Sequence, residues 1–187
     1  MKLNLGCGNK ILNGWVNLDK YPTYPVDLVH DLETFPYPFN DDSCDSVLLN
    51  HVLEHLGKDP EIFNKVIVEL YRICKDGADI QINVPHPRHD NFISDPTHVR
   101  PINAAVLALY DKRLNKEWEA KSIANTPLGL ILDVDFCVEH VEMEIEDEYK
   151  NKLAENKITE EQVWQMLKQY NNVCSEIRIR WRVRKSE

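Results

Sequence analysis

Four short apolar segments near the N-terminus each stop at a glycine or a polar side chain, and that order constrains the fold more than any other feature. Residues 2–5 run into Gly6-Cys7-Gly8, 15–18 stop at Asp19, 26–30 at Asp31, and 46–49 at Asn50-His51. A fifth segment, 78–84, is stopped by Pro85. Short apolar runs bounded by turn residues suit strands buried on both faces of a sheet. Between the fourth and fifth, residues 60–75 predict a helix. Asp59 can cap it, Pro60 fits its first position, and Glu61 suits the positive end of its dipole. Ile62, Phe63, Val66, Ile67, Leu70, Tyr71 and Cys74 form an apolar stripe at three- and four-residue spacing, with Gly77 as the stop. The pattern predicts an α/β fold with a mostly parallel sheet and helices on both faces.

The second half is less regular. A helix is expected from Asn103 to Lys112, residues 113–128 show no clear period, and strand character returns over 130–146. Thr159-Glu-Glu-Gln162 is a capping-box pattern opening a helix to about Tyr170, and a last strand covers 176–184. In that strand Arg178, Arg180, Arg182 and Arg184 alternate with Ile177, Ile179, Trp181 and Val183, so one face is all arginine. Upstream, Glu142, Glu144 and Glu146 alternate with Val141, Met143 and Ile145. An antiparallel pair with opposite charges facing each other accounts for both patterns, each pair contributing about 0.2–1 kcal/mol. An anion- or partner-binding arginine face is the alternative.

The net charge of −9 disfavours a broad electrostatic grip on nucleic acid. Five scattered cysteines without a Cys-x-x-Cys pair argue against a disulfide framework or a zinc knuckle. There is no apolar run near the ~20 residues of a membrane span, and the N-terminus lacks a signal-peptide core. A cytoplasmic location without membrane contact is therefore expected. With no repeat or Gly/Ser linker, 1–187 is expected to form one domain, 1–100 binding a ligand and 101–187 adding substrate-side elements and closing strands.

All four polar stops lie at carboxyl ends of strands, where an open α/β sheet binds its ligands. A dinucleotide would require Gly-x-Gly-x-x-Gly with an acidic residue about 20 positions on. Here Ile11 replaces the third glycine and Asp19 follows Gly8 by 11 residues, which leaves no space for a phosphate-binding helix. What remains is a set of acceptors suited to two hydroxyls and an amine.

At these residues the chain resembles class I S-adenosylmethionine-dependent methyltransferases, in particular a short bacterial type with a compressed first turn. The matching stretches are Leu3-Asn-Leu-Gly-Cys-Gly-Asn-Lys10, Gly14-Trp-Val-Asn-Leu-Asp19, His30-Asp-Leu-Glu33, Phe39-Asn-Asp-Asp-Ser-Cys-Asp-Ser-Val47 and His51-Val-Leu-Glu-His55. They stand in the family's order within residues 1–100; Lys10 departs from a frequent third glycine. The resemblance implies a Rossmann-like methyltransferase fold with an antiparallel C-terminal strand pair, and S-adenosylmethionine as cofactor. It implies that Gly6, Cys7 and Gly8 line the methionine part through backbone and that Asp19 takes the ribose hydroxyls. Asp31 and Leu32 would edge the adenine, and Asn50 and His51 would close the pocket near the sulfonium.

A second group of residues follows the fifth strand. Pro85-His-Pro-Arg-His-Asp90 and Asp95-Pro-Thr-His-Val-Arg100 hold three histidines, two aspartates and two arginines, and their prolines preclude a regular helix. The second string also resembles a segment of the same bacterial subgroup. Such a loop is expected over the carboxyl edge, with His98, then His86, then His51 as candidate bases. His89, Asp95 and Arg100 are the candidate substrate ligands. His86, His89 and His98 could bind a metal, but their spacing matches no known cage, and no metal is expected. His55 is placed one turn into the following helix. The expected acceptor is small or glycan-like, the latter implied by the subgroup. Asn-Pro-Pro-Tyr is absent after the fourth strand, which disfavours methylation of nucleic-acid bases. Two other classes stay open: a non-catalytic binding module that keeps the fold, and a metal-dependent hydrolase using the His/Asp loop. Oligomeric state is not legible.

Overall fold

A computed structural model describes residues 1–185; the last two residues of the expected 1–187 unit lie outside the described residues. The strands are β1 (Lys2–Leu5), β2 (Val16–Asp19), β3 (Leu28–Val29), β4 (Cys44–Asn50), β5 (Cys74–Pro85), β6 (Phe136–Ile145) and β7 (Cys174–Val183). The helices are α1 (Pro60–Ile73), α2 (Asp90–Ile93), α3 (Ala104–Ala108), α4 (Lys112–Ala120), α5 (Leu128–Ile131), α6 (Asp147–Ala154) and α7 (Glu160–Gln169), with a short 3-10 turn at Leu53–His55. The seven strands form one sheet in the order β3-β2-β1-β4-β5-β7-β6. Strands β1 to β5 are parallel, and β7 runs antiparallel to both β5 and β6. Among the described residues no helix is long and apolar enough to cross a membrane.

The strand order reverses between β1 and β4, which opens a crevice beyond their carboxyl ends. Helix α1 begins as its sequence dictates, with Asp59 accepting from Glu61 N at 2.7 Å and Pro60 at the first turn. It ends at Ile73, and β5 starts at the next residue. Gly77, expected as the helix stop, instead takes a φ of +72° in the irregular stretch where the β4–β5 register shifts.

No helix occupies the interval between β1 and β2. Two buried asparagines organise it. Asn4 donates to Lys10 O (2.8 Å) and to Asn17 Oδ1 (2.9 Å). Asn17 Oδ1 also accepts from Leu12 N (2.8 Å), and Asn17 Nδ2 donates to Asp27 Oδ2 (2.9 Å). Asp27 accepts the Asn17 backbone N–H as well, and these two bonds hold its carboxyl below the usual range.

The C-terminal pairing follows the charge pattern. Glu142 lies opposite Arg178 in the β6–β7 register, and Arg178 contacts Glu142 (3.4 Å), Glu144 (3.1 Å) and Glu176 (2.7 Å). Arg182 takes Glu139 (2.9 Å), and Arg184 takes Asp111 (2.5 Å) and Asp135 (2.7 Å). Glu146, expected in the same ladder, instead faces His89. On the apolar side Trp181 stacks on Phe136 at 3.8 Å between centroids. The stretch 130–146 is corrected at its start: Leu128–Ile131 is a helical turn and the strand begins at Phe136. Residues 113–128 contain most of α4, capped by Asp111, which accepts from Arg113 N and Leu114 N.

Replacing Asn17 by alanine leaves buried donors of the β1–β2 loop unpaired and is expected to cost about 3 kcal/mol in denaturant unfolding. Asp27 has a depressed carboxyl pKa in the fold, so its contribution is present above the unfolded carboxylate value and is lost as pH falls through the folded one. Asp27→Asn is therefore expected to flatten the acid limb of the stability profile below about pH 4.

Candidate functional site

A cleft of about 420 Å³ opens at the carboxyl ends of β1, β2 and β4. Of the residues expected there, Gly6, Asp19, Asp31, Leu32 and His51 line it. Gly6 turns the chain at a φ of +64°, and a Cβ there would stand 2.7 Å from Val52 Cγ2, so only glycine fits. Gly8 also has positive φ, but a Cβ would meet nothing within 4 Å. Asp19 Oδ2 accepts from Gly8 N and Oδ1 from Tyr21 N, both at 2.9 Å. Each carboxylate oxygen has a further lone pair, so Asp19 is oriented by backbone and still able to accept.

Asp31 closes a turn by accepting from Glu33 N (2.9 Å), and the buried Leu32 beside it has its carbonyl held by Tyr37 Oη (2.8 Å). Burial, with Glu69 nearby, raises the Tyr37 pKa. Glu33 accepts from Gly57 N (2.6 Å), and Gly57 O accepts from Arg100 Nη2 (2.7 Å). The Arg100 guanidinium lies 4.4 Å from the Phe63 ring centroid. Arg100, expected to meet substrate, is thus anchored behind the cleft rim.

Cys7 and Gly8 do not line the cleft. Cys7 N donates to Leu18 O (3.0 Å) and Cys7 O accepts from Lys10 N (2.9 Å), so its backbone staples the loop rather than presenting groups to a ligand. Burial, with Asp19 adding to it, pushes the Cys7 thiol up. Asn50 Oδ1 accepts from Asn83 Nδ2 (2.9 Å) between β4 and β5, away from the lining.

The loop 86–100 divides in two. Its first part is tied to the start of β7 and the loop before it: His86 N donates to Ser175 O (3.0 Å), and Asp90 and Asn172 exchange bonds of 2.9 and 3.0 Å. Burial, then Arg88, lowers the His86 pKa. His89 is buried, caps α2 by accepting from Asn91 N, and faces Glu146 at 3.2 Å. Neither histidine borders the cleft, because these bonds hold them beside β7. The second part crosses the 3-10 turn, with Val99 N donating to Glu54 O (2.8 Å), and brings Thr97 to the cleft wall. Asp95 caps this segment through Thr97 N and Oγ1. The side chain of His98 is 7% exposed, stacked near Phe92 and edge-on to His55.

His51 does border the cleft, at a φ of +56° rare for a residue with a Cβ. Nε2 is 2.8 Å from Glu176 Oε2, and Nδ1 is 3.4 Å from Glu54 Oε1. The Glu54 carboxylate is the largest influence on its pKa and raises it; burial opposes this, and Glu176 adds to the rise. A ring set between two carboxylates is built to donate, which suits a bracing group better than a proton acceptor. Sequence reasoning missed Tyr21, Thr97 and the positions of His30, Glu33 and His55, which also line the cleft. His30, Glu33 and His55 lie inside the quoted family motifs, so the signal was present but unassigned.

Residues 3–82 match the family model described as a methyltransferase domain. No curated protein matches the sequence. Among solved structures, a SAM-dependent methyltransferase from Archaeoglobus fulgidus superposes with a TM-score of 0.63 at 20% identity, covering 97% of this chain and 85% of that one. The chain has the class I methyltransferase fold. Another methyltransferase of the fold, from Mesorhizobium loti, gives a TM-score of 0.51 at 15% identity over 97% and 90% of the two chains. The [4+2]-cyclase SpnF gives 0.54 at 13% identity over 99% and 74%. In this methyltransferase fold, alanine at Gly6 or Gly8 incurs the left-handed backbone cost of about 1–2 kcal/mol. Gly6→Ala is expected to lose clearly more than Gly8→Ala in denaturant unfolding, because only the former meets Val52.

Proposed function

We propose that the chain binds S-adenosylmethionine in this cleft and transfers its methyl group to a small or glycan-like acceptor. The observation that carries the reading is Asp19, a carboxylate at the end of β2 oriented by Gly8 N and Tyr21 N and facing a cleft of about 420 Å³. The residues fit the cofactor. The volume lies within the range of small-ligand pockets, and Asp19 keeps lone pairs for two hydroxyls. Asp31 and Leu32 offer an acceptor and an apolar surface for a purine, and Asp19, Asp31 and Glu33 give the lining an acidic character that favours a cationic ligand.

When bound, S-adenosylmethionine supplies a methyl group on a positively charged sulfur that is its own leaving group. The protein's part is then alignment. Gly6 and Val52 line the cleft and would hold the reacting end, and His51, braced by Glu176, fixes the wall. Transfer to oxygen or nitrogen releases one proton from the acceptor. Of the candidate bases, His86 stands apart and His51 is committed to two carboxylates, which moves the acceptor side to the wall of His55 and Thr97, with His98 packed edge-on behind His55. That wall is polar, which suits a hydroxylated acceptor. The cyclase among the neighbours favours measuring binding and turnover separately, since one fold supports different reactions.

Calorimetry with S-adenosylmethionine is expected to show one saturable site per chain. Asp19→Ala is expected to weaken it by about 1–3 kcal/mol while the protein stays folded by circular dichroism. No heat of binding up to millimolar ligand, with folded protein, would overturn the reading; unchanged affinity in the variant would remove Asp19 from it.

A further inference from the structure

Beside the cleft, Glu54, His55 and His98 each offer one donor atom, and the three donors lie within 4.8 Å of one another. Glu54 is completely buried, and neither of its carboxylate oxygens has a hydrogen-bond partner. His51 Nδ1 lies 3.4 Å from Glu54 Oε1, within ion-pair reach but outside hydrogen-bond geometry. A buried carboxylate without hydrogen bonds is costly unless something else meets it.

The two histidines are prepared for the same task. Thr97 Oγ1 donates its only proton to Asp95 Oδ1 (2.6 Å), so in its 2.9 Å contact with His55 Nδ1 it must accept. His55 is thereby held as the Nδ1–H tautomer with a free lone pair on Nε2. His98 Nδ1 lies 2.8 Å from Phe92 O, and a carbonyl only accepts, so His98 is the same tautomer, with its Nε2 lone pair 3.8 Å from Asp95 Oδ2 and outside hydrogen-bond distance. Donation of the far ring N–H to a carbonyl, or to a hydroxyl backed by a carboxylate, is the arrangement that orients metal-ligating histidines.

We propose that Glu54, His55 and His98 bind a divalent transition-metal ion through one carboxylate oxygen and two Nε2 atoms, on the acceptor side of the cleft. Two imidazoles and one carboxylate suit zinc and its first-row neighbours and leave coordination positions open. A tetrahedral ion with bonds of about 2.0–2.2 Å needs donors about 3.4 Å apart, so the three side chains close on the ion from separations of up to 4.8 Å. His55 and Thr97 line the cleft, so the open positions face the space left for the acceptor. The ion's role rests on the methyl-transfer reading; its binding does not. In that role a hydroxyl oxygen of the acceptor is drawn to the ion and loses its proton to water. The oxygen–carbon bond then forms as the carbon–sulfur bond breaks, with no net oxidation or reduction. The substrate class this implies is a hydroxylated acceptor able to reach the ion through oxygen.

The test uses the full chain, stripped with chelator and dialysed. Titration with Zn²⁺ by calorimetry, and with Co²⁺ by visible absorption, is expected to saturate at one equivalent. Glu54→Gln and His98→Ala are expected to abolish that phase. Thr97→Val changes only an exposed side chain that orients His55, and is expected to weaken binding about ten- to a hundredfold; it keeps the test decisive should the buried variants fail to fold. His140→Ala, an exposed histidine on β6, serves as control. No saturable binding, or binding that ignores Thr97→Val and falls with His140→Ala, overturns the inference. Metal binding without S-adenosylmethionine binding would sustain this site and overturn the methyl-transfer reading; cofactor binding without metal binding would do the reverse.

Discussion

The hydrogen bond between Asn4 and Asn17 is the contact on which the cleft depends. In a longer fold of this kind a helix between the first two strands would satisfy the backbone of the crossover. Here the interval is too short for one, and its polar groups must be paired in another way. Asn4 and Asn17 do so from inside the sheet, by binding Lys10 O, Leu12 N and each other. Because that loop is pinned, Gly6 can turn sharply against Val52, and Gly8 N can reach Asp19. The carboxylate is thus aimed by a network whose centre lies beneath the ligand.

From β1 to β5 the fold was legible because each strand is an apolar run with a polar stop, and α1 carries both its cap and its stripe. The compressed crossover was also legible, as an interval too short for a helix, but its asparagine network was not. Nothing in the sequence marks Asn4 and Asn17 as buried until the two strands are set side by side. Helix α4 was illegible for a different reason. Its apolar side chains are few, and its packing rests on the buried Asn115, which donates to Leu109 O and accepts from Leu130 N. A hydrophobic period cannot reveal a helix held by an amide.

The site shows the same division. Asp19, Asp31 and His51 could be placed from strand ends. The histidine-rich loop read as one unit, yet its halves serve different neighbours, since Asn172 and Ser175 hold the first and the 3-10 turn holds the second. His55 and His98 are 43 residues apart in the chain, so no spacing rule could join them to Glu54. The C-terminal strand also reaches the site: Arg178 holds Glu176, and Glu176 holds His51. A charge pattern that first read as mere closure of the sheet therefore extends to the cleft wall.

The sheet ends on β6 at one side and on the two-residue β3 at the other. A long outer strand exposes unpaired backbone groups on which another chain could add itself. Along β6, Glu139, His140 and Glu142 are exposed, and the facing arginines hold Glu139 and Glu142 in place. An incoming strand would have to bury those charges or displace their partners. At the opposite border β3 is too short to template anything. The ion pairs that fasten the last strand thus also guard the free margin of the sheet against uncontrolled self-association.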